Sequence, residues 1–244
     1  MLRVENLYKK FSGAETASIN GLSFQFPNDK IIGLLGPNGA GKTTTLSIVS
    51  GLITEYRGDI FLMGENIREA KTGLVQQIGI VPQQIAMYAT LSCEENLLYF
   101  GSLYNIPKEE LRKRIETYLQ EFGLFEHRKK QIRHFSGGMK RRANIIASLL
   151  HQPKLLILDE PTAGVDVQSR NMILEFLKKY HQLGNSIIYT SHILEEAETL
   201  CHEVLIIDAG KKIVQGEPSK LISEHEAQNL EHLFLKLTGI ALRD

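Results

Sequence analysis

The 244-residue sequence predicts an α/β fold: a mostly parallel sheet, an antiparallel β subdomain near the N-terminus and an inserted α-helical subdomain. Three patterns carry that expectation. Short apolar runs alternate with amphipathic helical patterns, as parallel strands joined by crossover helices require. Residues 2–8 and 18–26 alternate in polarity and read as antiparallel strands near a sheet edge. Between residues 84 and 150 the strand signals give way to helical ones.

Taken in order, residues 30–35 form a buried strand that runs into a glycine-rich turn, and residues 42–50 a helix. Residues 60–63 read as a strand with Gly64, Glu65 and Asn66 as its turn, and residues 78–81 as a short apolar run stopped by Pro82. Residues 92–104 and 108–122 read as helices. In the second, Leu111, Ile115, Leu119 and Phe122 recur at spacings of four and three. Pro107 stands outside its start, Glu109 and Glu110 occupy its first turn, and Gly123 breaks the pattern. A further helix is expected over residues 140–150, a buried strand over 155–159, and a helix over 168–180 with Met172, Ile173, Phe176, Leu177 and Tyr180 on one face. Residues 186–190 read as a strand, 192–200 as a short helix, and 204–208 with 212–216 as a hairpin around Ala209 and Gly210. Two short helices, 218–224 and 229–237, follow.

Composition narrows the function classes. Twenty-eight basic side chains balance 28 acidic ones, which argues against nucleic acid as the main partner. Two cysteines, Cys93 and Cys201, make neither a structural zinc site nor a disulfide scaffold. No apolar stretch approaches the roughly 18 residues a membrane span needs, and the first residues lack the apolar block of a signal peptide. The expectation is a chain that is cytosolic or rests against a membrane component.

The chemistry is concentrated in two places. Gly36-Pro37-Asn38-Gly39-Ala40-Gly41-Lys42-Thr43 matches GxxxxGK[ST], after a strand and before a helix, the context of a phosphate-binding P-loop. Its glycines let successive N–H groups converge on a phosphate, Lys42 supplies charge to the β- and γ-phosphates, and the Thr43 hydroxyl suits Mg²⁺. Residues 155–159 form an apolar strand ending in Asp159, a carboxylate placed to hold Mg²⁺, with Glu160 next and turned to polarise an attacking water. Hydrolysis of ATP or GTP is the reading these motifs share, in a P-loop NTPase core. Ser136, Gly137 and Gly138, before the helix, fit an ordinary N-cap or a second anion site; Lys140, Arg141 and Arg142 in its first turns make more sense if the local surface meets something anionic.

In combination the sequence resembles the nucleotide-binding subunits of ATP-binding cassette transporters. The resemblance rests on the loop 36–43, Val81-Pro82-Gln83, Phe135-Ser136-Gly137-Gly138-Met139, the run from Leu155 to Pro161, Ala163-Gly164-Val165-Asp166 and Tyr189-Thr190-Ser191-His192, in that order. It implies ATP and Mg²⁺ as ligands. Residues 36–44, Thr44 included, would bind the phosphates, and Thr43, Gln83 and Asp159 the metal. Glu160, His192, Gln83 and Lys42 would be the catalytic group, with His192 against the γ-phosphate. Phe11 would stack on adenine, with Tyr8 as a second candidate. Ser136, Gly137, Gly138 and Asp166 would act across a dimer interface, on the nucleotide of a second cassette. Phe135 and Met139 depart from the family's usual leucine and glutamine, and methionine lacks the amide's hydrogen bonds.

The implied organisation is one cassette. Residues 1–83 and 151–216 form the core with its β subdomain, 84–150 the helical subdomain, and 217–244 a C-terminal helical tail. The implied partners are a second copy and an integral membrane permease, docked near Ala86, Met87, Tyr88, Leu98, Tyr99 and Phe100, with no nucleic acid. That places the chain at the cytoplasmic face of the membrane. The tail, and the stretches around Phe135 and Pro161, resemble single-cassette ATPases of exporter-type systems. The alternative reading is a soluble cassette ATPase that uses ATP-dependent dimerisation for assembly or regulation. Lys42 and Ser136 lie too close in sequence for the long coiled coil of DNA-repair members.

Overall fold

The computed structural model describes residues 2–69 and 73–239; residues 240–244, the end of the expected tail, lie outside the described residues. β1 (Leu2–Lys9) pairs antiparallel with β2 (Ile19–Phe26) on one side and β4 (Arg57–Leu62) on the other, and β5 (Glu65–Asn66) extends this small sheet. The larger sheet contains β3 (Ile31–Leu35), β6 (Ile78–Val81), β7 (Leu155–Leu158), β8 (Ser186–Tyr189), β9 (Glu203–Asp208) and β10 (Lys211–Gly216). Its order is β10-β9-β3-β8-β7-β6, parallel throughout except for the β9–β10 hairpin at one edge.

Strand alternation sends neighbouring residues to opposite faces, so apolar runs without polar interruption fit strands covered on both sides. Ile32, Leu34, Ile157, Ile188 and Leu205 face the small sheet and α1 (Lys42–Val49), where Val4, Leu7, Leu22, Leu46 and Ile48 complete one core. Ile31, Leu35, Leu156, Leu158, Ile187 and Val204 face the other way. They meet residues of α4 (Gly137–Leu149), α5 (Val167–Gln182) and α6 (Leu194–Leu200), including Ile145, Leu149, Ile173, Leu177 and Ala197. With every β7 residue buried, any register slip would drive side chains into occupied space.

α2 (Cys93–Ser102) and α3 (Lys108–Glu121) pack with α4 to form the inserted helical layer. α2 opens on a reciprocal capping box between Ser92 and Glu95. α3 buries Leu111, Ile115 and Leu119, and Gly123 follows its end at φ 63°, a left-handed position that favours glycine. Two short helices, α7 (Pro218–Glu224) and α8 (Leu230–Thr238), complete the described chain, α8 packing on α6. No helix among the described residues is long and apolar enough to cross a membrane.

Three local expectations are corrected. The turn after β4 is Met63-Gly64, both at positive φ, and Glu65 and Asn66 pair back on Leu62 and Phe61 as β5. α4 starts at Gly137 rather than 140, because the Ser136 side chain caps it by accepting the Met139 N–H at 3.2 Å. α6 starts at Leu194, leaving His192 in the loop that precedes it.

Candidate active site

The loop after β3 needs glycine at two places for lack of room, Gly36 and Gly41, and at Gly39 for its φ of 83°. A Cβ on Gly36 would lie 2.3 Å from the Ile207 carbonyl, and one on Gly41, at φ 102°, would lie 2.5 Å from the Ser18 carbonyl. Pro37 and Ala40 are buried, while Asn38 and Gly39 sit exposed at the loop tip. The Ala40 carbonyl accepts the Gly210 N–H at 3.0 Å, which moors the loop to the β9–β10 turn. α1 begins without a side-chain cap, so its first N–H groups and positive end are available to an anion.

Lys42 is buried and folds back over this loop, its Nζ donating to the carbonyls of Gly36 at 2.7 Å and Pro37 at 3.2 Å. Burial lowers its proton affinity, opposed by the charges of Glu160 and Asp159. Thr43 Oγ1 donates to Asp159 Oδ2 at 2.8 Å, and Thr44 is half-buried beside it.

β7 delivers the two acids. Asp159 is fixed by its N–H to the Val81 carbonyl at 2.9 Å and by Thr190 Oγ1, which donates to Asp159 Oδ1 at 2.8 Å. Glu160 turns away from it in the left-handed region at φ 51°, a conformation held by its N–H donating to Thr190 Oγ1 at 2.8 Å. Its carboxylate then meets Gln83 Nε2 on Oε2 at 2.7 Å and His192 Nε2 on Oε1 at 2.5 Å. Lys42, Thr43, Gln83, Asp159, Glu160 and His192 are thus gathered around the mouth of one phosphate loop.

Ser136, Gly137, Gly138 and Asp166 gather into a second assembly, with one another rather than with Lys42 or Glu160. A Cβ on Gly138 would lie 2.2 Å from Ser169 Oγ and 2.7 Å from Asp166 Oδ2, and one on Gly137 would lie 3.7 Å from the Gly164 carbonyl. Asp166 caps α5, accepting the Ser169 N–H and hydroxyl at 2.8 Å each, and these bonds hold its carboxyl below the usual range. Phe11 is 42% exposed beyond β1, with Lys9 Nζ 5.1 Å from its ring centre. Tyr8, the second candidate, is half-buried within β1. Of the expected docking residues, Met87 and Leu98 pack against the core, while Ala86, Tyr88 and Tyr99 are exposed. The Tyr88 and Tyr99 rings meet edge-on at 5.1 Å.

Two of the three basic residues, Arg141 and Arg142, turn inward rather than facing outward as expected. Arg141 is buried and donates to the carbonyls of Pro82 at 2.8 Å and Gln83 at 2.5 Å. Arg142 donates to the Phe122 carbonyl at 2.5 Å. Both guanidiniums satisfy main-chain oxygens at segment ends, where fixed forks of donors fit paired carbonyls. Sequence reasoning also gave no role to Thr190, although a hydroxyl at the end of a strand adjoining the acidic one was the signal available.

A strand, glycine-rich loop and helix whose lysine and threonine face an acid on another parallel strand define a P-loop nucleotide hydrolase. The sequence matches the ABC transporter family over residues 19–163, and the chain belongs to that family, as an ATP-binding ATPase. It is 48% identical over 223 residues to a linearmycin resistance ATP-binding protein of Bacillus subtilis (strain 168), covering 91% of this chain and 71% of that one. It is 40% identical over 226 residues to a Nod factor export ATP-binding protein of Ralstonia nicotianae, covering 93% and 70%. A solved ATP-binding subunit of an ABC transporter superposes with a TM-score of 0.87 at 28% identity, covering 98% of this chain and 99% of that one.

Proposed function

We propose that this ATPase powers export of a substrate through a separate membrane permease, by closing two cassettes on ATP and opening them after hydrolysis. The observation that carries the reading is the division of the site. The phosphate loop with Gln83, Glu160 and His192 is one assembly, and Ser136 to Gly138 with Asp166 is another, which supports a complete site drawn from two copies. In each half, Gly36 to Thr44 would bind the phosphates and Lys42 would offset their charge. Thr43 and Asp159 offer the hard oxygen donors that suit Mg²⁺, which would neutralise the β- and γ-oxygens, with Gln83 alongside. Glu160 would take the proton of the attacking water, held in aim by Gln83 and His192. Phe11 would stack on adenine, and Ser136, Gly137, Gly138 and Asp166 of one copy would face the γ-phosphate of the other.

Export is supported by relatives named for linearmycin resistance and for Nod factor export. The domain boundaries at residues 83, 150 and 216 fit this reading, since they set the helical layer between Gln83 and β7. Tyr88 and Tyr99 would form part of the face that receives the permease. The test is to tag Glu160→Gln, which should trap the closed pair, express it with ATP retained, solubilise membranes gently and identify what co-purifies. A stoichiometric multi-span protein is the expected result. A soluble partner alone, or none from intact membranes, moves the ATPase to assembly or regulation.

A further inference from the structure

Glu196, on α6, is 5% exposed, and its carboxylate joins four segments of the chain. Oε2 accepts hydrogen bonds from Thr162 Oγ1 at 2.7 Å, from Ser191 Oγ at 2.9 Å and from the Tyr189 hydroxyl. Oε1 faces Arg170 Nε of α5 at 3.3 Å. Burial first, and then the Glu196 charge, push the Tyr189 hydroxyl well above its usual range, which keeps it a donor. A carboxylate this deep is tolerated only where it is hydrogen-bonded or paired; here three hydroxyls donate to Oε2, and the Arg170 guanidinium faces Oε1 as an ion pair without a hydrogen bond.

Each of those partners belongs to a segment that bears a site residue. Thr162 lies two residues beyond Glu160. Ser191 precedes His192, and its Oγ also accepts the Ile193 N–H at 2.9 Å, so both chain neighbours of His192 are tied to Glu196. Arg170 lies in the first turn of α5, where its N–H donates to the Asp166 carbonyl at 2.9 Å.

We propose that Glu196 is a positioning residue for hydrolysis. It fixes the loop of His192 against the loop of Glu160, and links both to the helix that Asp166 caps. The inference rests on the roles proposed above for His192 and Glu160. A carboxylate that merely stapled the fold would change stability and leave turnover per folded molecule untouched.

The experiment measures kcat, KM for ATP and the unfolding midpoint of the intact chain in Glu196→Gln, His192→Ala and the double variant. In Glu196→Gln, kcat should fall about tenfold or more while KM stays within about threefold. On the His192→Ala background the same substitution should cost clearly less than it does alone, because one of the two groups it positions is gone. Unchanged kcat per folded molecule, or a full second loss on that background, overturns the proposal. Should Glu196→Gln fail to fold, Tyr189→Phe removes one donor and is compared in the same way. Its kcat should fall, and by more while His192 is present; an unchanged kcat in the otherwise unaltered chain overturns the proposal too. The single variants Glu160→Gln and His192→Ala report on the site by themselves: if they retain normal turnover, the site reading fails independently of Glu196.

Discussion

Gln83 and Glu160, 77 positions apart in sequence, are joined by a 2.7 Å hydrogen bond from Nε2 to Oε2, while His192 occupies the other carboxylate oxygen at 2.5 Å. A carboxylate gripped on both oxygens cannot swing, so its orientation toward the phosphate loop is set before any nucleotide arrives. Replacing Glu160 with glutamine keeps the size and removes the proton acceptor. Phosphate release should fall about 10²–10⁴-fold, the usual range for loss of a general base. Equilibrium ATP binding should persist, because Lys42 and the loop amides are untouched. Near-normal turnover would remove Glu160 from the chemistry.

The elements that carry this geometry differ in how far they can be read from sequence. The loop 36–43, Asp159 and the α5 helix follow from local rules: glycines where backbone crowds backbone, a carboxylate closing an apolar run, a 3.6-residue apolar period. The contacts of Arg141 and Glu196 do not. A cation after Ser136 looks solvent-facing until the fold brings the Pro82 and Gln83 carbonyls to it. A glutamate in an acidic helical turn looks exposed until Tyr189, Thr162, Ser191 and Arg170 arrive from other segments. The start of α4 shows the same limit at shorter range, since Ser136 reads as an ordinary cap or as an anion ligand, and it forms the cap.

Thr43 tests the metal separately from the base. Its Oγ1 lies 2.8 Å from Asp159 Oδ2, so Thr43→Val deletes one hard donor at nearly constant shape. Asp159 keeps its bond from Thr190, which limits the loss of stability to about 1 kcal/mol. The ATPase should then need a higher Mg²⁺ concentration for half-maximal rate, with less change once Mg²⁺ saturates. A Mg²⁺ titration that superposes on that of the unaltered chain would take Thr43 out of the metal site.

Arg141 joins α4 to the segment of Gln83. Burial depresses its proton affinity, against the opposing pull of Asp159 and Glu160, yet the guanidinium remains charged and spans two carbonyls. Arg141→Met preserves the apolar stem and leaves both carbonyls without this donor. Destabilisation of about 1–3 kcal/mol is expected from such unpaired groups, read as a lower urea midpoint. A midpoint equal to that of the unaltered chain would mean that water replaces the guanidinium at no cost.

Asp166 gives a pH dependence whose sign can be worked out. The Ser169 N–H and then the Ser169 hydroxyl depress its folded pKa below the ordinary 3.8. A carboxyl depressed in the folded state contributes stability that is present above its unfolded pKa and is lost as pH falls through the folded value. Asp166→Asn retains an N-cap, since asparagine caps about as well as aspartate, but cannot titrate in this range. Melting curves of the two proteins should therefore run in parallel from neutral pH down to about pH 5. Below the ordinary value of 3.8 the aspartate protein should lose ground to the variant, as protonation takes the charge from the oxygens that accept from Ser169. If the two curves stay parallel to the lowest pH at which both remain folded, the cap holds no more tightly to the ionised carboxylate than to the protonated carboxyl. The depressed proton affinity would then have no part in holding Asp166 against Gly138.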